Sequence, residues 1–191
     1  MSQLNREKYA PTWTEMLSAA KAGEEWAWEL LYRDISGPVT GYLAARGAQD
    51  PEDTAAETFL QVARGIDRFD GDEASFRSWV FVIAHRRLID ARRASDRRPK
   101  RSETDDLDNQ ATVGGNVEDD AVRNLEAEWV TGILEYLTDE QREVLSLRVV
   151  ADLSLAETAR VMDKTTGAVK ALQRRALIAA RSHLESGRVT L

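Results

Sequence analysis

The chain has 191 residues (21.4 kDa) and is 42% hydrophobic, 7% aromatic and 31% charged, enough for one large domain or two small ones. Its longest apolar run, residues 79–84, is six residues, against the roughly 20 that a membrane span requires, and residues 1–8 are polar where a secretory signal would be apolar. There are no cysteines, which excludes a disulfide framework, a thiolate nucleophile and a cysteine zinc site, and a soluble cytoplasmic protein is expected. The net charge of −7 argues against nucleic acid only when taken whole. Residues 85–101 carry eight bases against two acids, and residues 164–188 carry six bases against one acid. Between them, residues 103–120 hold seven acids and no base. A polyanion meets the local field and not the total, so two basic blocks split by an acidic one point to nucleic acid.

Taken in chain order, the elements read as helices throughout. Residues 13–22 and 24–36 predict the first two. Asp50-Pro51-Glu52-Asp53 joins an N-cap acid, proline at the first helical position and acids in the first turn, opening a helix over 51–64 with Gly65 as its stop. Asp53 and Glu57 lie at i and i+4 on one face of it; they fit a solvated or partner-binding acidic face, since further ligands facing them, as a metal site needs, are missing.

A helix over 75–93 follows, with Phe76, Trp79, Val80 and Ile83 on one stripe and His85, Arg86, Arg87, Arg92 and Arg93 further along. Aromatics beside a basic helix suit single-stranded nucleic acid, where cations track phosphates and rings or pockets take unstacked bases, but the spacing of Phe76 and Trp79 fits a buried core stripe better than stacking platforms. Phe81 falls off the stripe. His85 fits a surface contact better than metal binding or catalysis.

The acidic stretch is the expected linker. Residues 105–117 have few apolar side chains, a Gly114-Gly115 pair and no helical period, so they cannot bury enough surface to offset chain entropy. It separates a domain over 1–100 from one over 125–191, with the flexible acidic linker at 101–124. Past it come a helix over 125–137 and two capping boxes, Thr138-x-x-Gln141 and Ser154-x-x-Glu157, each opening a helix. Thr165 is the expected N-cap of a last helix over 166–184, with Val169, Leu172, Ala176 and Ala179 on its back and Thr166, Lys170, Arg174 and Arg181 on its front. A short helix, a tight break and a helix with an apolar back and a basic front form a helix-turn-helix pattern, whose front fits a DNA major groove. The fold class is all-α, with two small helical domains.

Three segments, Asp50 to Leu60, Ala74-Ser75-Phe76-Arg77-Ser78-Trp79-Val80 and Ile83-Ala84-His85-Arg86-Arg87-Leu88-Ile89-Asp90, resemble region two of extracytoplasmic-function (group IV) sigma factors of bacterial RNA polymerase. Leu137 to Leu145, Leu155-Ala156-Glu157-Thr158-Ala159 and Thr166-Gly167-Ala168-Val169-Lys170 with Arg175-Ala176 resemble region four. The resemblance implies a polymerase subunit, not an enzyme, with no catalytic residues, cofactor or metal of its own. Core RNA polymerase would dock on Asp53, Glu57, Phe59 and Leu60. The single-stranded minus-ten element would meet Phe69, Asp70, Ser75, Arg77, Trp79, His85, Arg86, Arg87, Arg92 and Arg93. The double-stranded minus-thirty-five element would meet Thr165, Thr166, Lys170, Arg174, Arg175 and Arg181. The linker would enter the polymerase channels, and an anti-sigma factor is a further partner the family allows. The chain departs from the pattern at Ala56, where Gln is usual, and at Arg86, where Asn is common. The competing readings are a two-domain helix-turn-helix regulator that is not a polymerase subunit, and a helical metal-dependent hydrolase whose ligands the sequence does not supply.

Overall fold

The computed structural model describes residues 11–97 and 136–188. The linker expected over 101–124 lies outside the described residues, as does the helix expected over 125–137 apart from Tyr136 and Leu137. The described elements are helical, in the order α1 (Trp13–Lys21), α2 (Glu25–Ala45), α3 (Pro51–Gly65), a 3₁₀ turn (Ile66–Arg68) and α4 (Glu73–Arg97), then α5 (Asp139–Leu145), a wide π turn (Ser146–Val150), α6 (Leu155–Val161) and α7 (Thr166–Arg188). No described helix is long and apolar enough to cross a membrane.

The caps at Asp50, Thr138 and Ser154 are those the sequence implies, and Thr12 adds one it did not single out. Asp50 Oδ1 accepts from the Asp53 amide at 2.8 Å, and Thr12, Thr138 and Ser154 each open a reciprocal capping box. One boundary differs. The reading that ends the second helix at residue 36, before Gly37-Pro38, is corrected: α2 continues to Ala45 with Pro38 inside it. Proline removes one backbone bond and crowds the preceding turn, at a cost of about 3 kcal/mol. Beyond it Val39, Tyr42 and Leu43 are all fully buried, each worth about 1.5–3 kcal/mol for a large apolar side chain, so burial outweighs the break.

In the N-terminal domain α2, α3 and α4 pack on one another around Leu31, Ile35, Val62, Phe76 and Val80, with α1 laid across α2. The C-terminal domain closes α5 and α6 on α7 around Val144, Leu145, Ala159, Val169, Leu172 and Ala176. The two domains also meet. α6 packs on α4 and the π turn packs on α2, and Leu147, Ala151, Leu153 and Val161 join the N-terminal core.

Candidate nucleic-acid and protein interfaces

The helix-turn-helix forms as its pattern implies. Asp163 takes the left-handed conformation (φ 51°), which an aspartate tolerates better than most residues, and reverses the chain after α6. Thr165 Oγ1 then accepts from the Ala168 amide at 3.2 Å and caps α7. Val169, Leu172 and Ala176 are buried, so the opposite face points outward, and Thr165, Thr166, Lys170, Arg174, Arg175 and Arg181 are all exposed. Arg181 Nε donates to Glu185 Oε1 at 2.8 Å, leaving its charge partly compensated. Lys164 does not join this front. Its Nζ donates to Glu140 Oε1 at 2.9 Å, and that bond and charge hold the Glu140 carboxyl below its ordinary value. The sequence reading missed Leu177 and Ile178, 50% and 55% exposed beside the basic front; an apolar pair off the buried stripe was the available signal.

On α3, Ala55, Thr58 and Val62 face the core, so Asp53, Glu57 and Leu60 form one outer face of acids and apolar surface. Leu60 is 58% exposed, and half-buried Phe59 tilts against the exposed Tyr32 ring at 4.7 Å, extending that surface onto α2. Glu57 Oε2 lies 3.6 Å from Arg87 Nη1, and Arg87 Nε donates to Gln61 Oε1 at 3.0 Å. Arg87, which the resemblance groups with the minus-ten residues, therefore sits against the α3 face. Among the described residues no three His, Asp or Glu side chains are grouped to hold a metal.

The entry to α4 is an aromatic cluster. Phe69 stacks on Trp79 at 5.1 Å and meets Phe76 edge-on at 5.5 Å, while Trp13 Nε1 donates to the Gly71 carbonyl at 2.8 Å and pins the loop. A Cβ on Gly65 would stand 2.9 Å from Trp79 Cζ2, so the end of α3 needs glycine to admit the indole. Phe76 is core; Phe69 and Trp79 are half-buried, with Asp70 exposed and Ser75 half-buried beside them. Asp72 Oδ1 accepts from the Ser75 amide at 2.8 Å, and the hydrogen bonds from Ser75 hold its carboxyl below the ordinary value.

A second face of α4, carrying Arg77, Phe81, Ala84, His85, Leu88 and Arg92, is also covered. Phe81 is fully buried edge-to-face against Tyr42 at 5.7 Å. Arg77 Nη2 donates to the Ala151 carbonyl at 3.0 Å, and Arg92 donates to the Arg46 carbonyl. His85 Nδ1 lies 2.7 Å from Glu143 Oε1 and 3.1 Å from the Tyr42 hydroxyl. Burial, then the Glu143 charge, pushes the Tyr42 hydroxyl well above the ordinary phenol range. Arg46 is 2% exposed and donates from Nη1 to the Asp139 carbonyl at 3.0 Å. Arg86 and Arg93 face solvent.

Residues 31–98 match the family Sigma-70 region 2, and residues 133–181 match Sigma-70, region 4. The chain is 34% identical over 165 residues to the ECF RNA polymerase sigma factor BldN of Streptomyces coelicolor, covering 85% of this chain and 62% of that protein. It is 31% identical over 169 residues to the ECF RNA polymerase sigma factor SigD of Mycobacterium tuberculosis, covering 85% of this chain and 79% of that protein. The structure of CnrH in complex with the cytosolic domain of CnrY has the same fold, with TM-score 0.66 and 22% identity, over 90% of this chain and 96% of that chain. The chain belongs to the ECF RNA polymerase sigma factors, with region 2 in its N-terminal domain and region 4 in its C-terminal domain.

Proposed function

We propose that this sigma factor is a non-enzymatic subunit that binds core RNA polymerase in the cytoplasm, directs it to specific promoters and helps to open them. The α3 face of Asp53, Glu57, Phe59 and Leu60 docks on the polymerase. The aromatic entry and basic side of α4, from Phe69 to Arg93, capture the melted minus-ten strand. The α7 front reads the minus-thirty-five element. The observation that carries this reading is the exposed row of Thr166, Lys170 and Arg174 on a helix whose back is buried. That row can insert in a major groove, where Lys and Arg reach phosphates and guanine edges. The family likeness also makes an anti-sigma factor a candidate partner, which pull-down from the native host tests.

Transcription from a promoter library with purified core polymerase tests the reading. A stoichiometric complex with core and promoter-specific transcripts are expected. DNA binding without a core complex would favour a stand-alone helix-turn-helix regulator.

A further inference from the structure

We infer that α1, which lies ahead of the matched residues 31–98, is a strut for strand capture, and that its Trp13 is a positioning residue: it holds the loop over residues 69–72 in the shape that receives the minus-ten strand. This role rests on the minus-ten assignment proposed above. The loop leaves the 3₁₀ turn at Phe69 and enters α4 after Asp72, and it contributes Phe69 and Asp70 to that assignment. Its ends are secured locally. The Phe69 amide donates to the Ile66 carbonyl at 3.0 Å, the Phe69 ring lies on Trp79, and the Asp72 carboxylate accepts from the Ser75 amide in the first turn of α4. Its middle is not. Among the described residues no backbone group bonds to Asp70 or Gly71. The Trp13 indole, 58 residues away in sequence, supplies what is missing by donating from Nε1 to the Gly71 carbonyl at 2.8 Å.

A long-range bond holds a loop only if its donor is itself fixed, and Trp13 is. Its ring packs against Phe76 of α4 at 5.3 Å, and the Thr12 capping box closes the turn that carries it. At the other end of α1, Trp28 of α2 donates from Nε1 to the Ala20 carbonyl at 3.0 Å, and Leu17 and Ala20 are buried in the core. One indole thus ties α1 to α2, and a second ties it to the capture loop.

The loop has little room to settle elsewhere without disturbing the strand surface. A Cβ on Gly71 would stand 2.9 Å from Phe69 Cζ and 3.0 Å from Ser75 Cβ, so the backbone passes closely between two residues assigned to the strand. A shift of the Gly71 peptide therefore moves what those residues present. Fixing the loop before the strand arrives also removes an ordering cost from binding.

Two variants isolate the bond. Trp13→Phe keeps a ring against Phe76 and deletes the donor. Trp13→benzothienylalanine replaces the indole N–H by sulfur in a ring of the same shape, and it keeps the test open should Trp13→Phe unfold the chain. In each, amides over residues 70–74 of the free chain should exchange about fivefold faster, with exchange in α3 unchanged. In the complex with core polymerase, affinity for a fluorescent minus-ten non-template oligonucleotide should fall roughly three- to tenfold, as one net hydrogen bond implies, while affinity for core stays within about twofold of wild type. Gly71→Ala, which crowds Phe69 and Ser75 at the same peptide, should lower oligonucleotide affinity as well. Wild-type loop exchange in both Trp13 variants would overturn the pin. Faster exchange with wild-type oligonucleotide affinity would overturn its role in capture, and so would an equal loss of core affinity, which marks a packing residue only. If the wild-type complex itself takes no minus-ten strand, the proposed function fails, and loop exchange still decides whether Trp13 holds the loop.

Discussion

Replacing His85 by Ala is the sharpest perturbation of the domain seam. Glu143 Oε1 is buried and makes no well-aligned hydrogen bond among the described residues, and the His85 ring nitrogen at 2.7 Å is the polar group that faces it across the seam. In a chain whose domains are apart, the carboxylate would be hydrated instead. Removing the partner of a buried acceptor costs about 1–3 kcal/mol, and more when the acceptor is charged. Here the acceptor is a carboxylate whose side chain retains 12% exposure, and the imidazole retains 23%, so about 2–3 kcal/mol is the appropriate range. At about 1.4 kcal/mol per decade, the open-to-closed ratio should rise roughly 30- to 150-fold. Adding Glu143→Leu removes the stranded charge and should recover most of that loss, because an apolar group of similar size costs nothing to desolvate. Energy transfer between dyes on Ala63→Cys and Ala171→Cys, both exposed positions, reads the distance between domains without touching the seam. A coupling below about 0.5 kcal/mol in the double-mutant cycle would refute the pair as a closing contact.

Three further outcomes are expected. Lys170→Ala and Arg174→Ala should weaken promoter binding, by about 1–3 kcal/mol for a base-edge contact and mainly through salt dependence for a phosphate contact; wild-type transcription from minus-thirty-five-dependent promoters in both would remove α7 from the groove. Asp53→Arg and Glu57→Arg should impair core binding at least tenfold in size-exclusion titrations while leaving the circular dichroism unchanged, since both side chains are exposed; normal binding by both would make the α3 face a solvated surface. Ser154→Ala removes the acceptor of the Glu157 amide (3.2 Å) and should lower stability by about 1 kcal/mol in urea titration, with no change in core binding.

Local chemistry made much of this molecule legible in its sequence. Asp50, Thr138, Ser154 and Thr165 announce helix starts because their side chains satisfy the first free amides, and all four do so. The stripe Val169, Leu172, Ala176 fixed which face of α7 would be free. The rest depended on contacts between distant segments. The Gly37-Pro38 pair reads as a stop until the burial of Val39, Tyr42 and Leu43 is known. Arg77 and His85 read as surface contacts because their partners, Ala151 and Glu143, come from the other domain. Phe81, off the apolar stripe, is buried because α4 has a second covered face, on which Phe81 packs edge-on against Tyr42 of α2 beside the domain seam. The apolar stripe marks one face of α4; it does not report a second face covered by α2 and by the other domain.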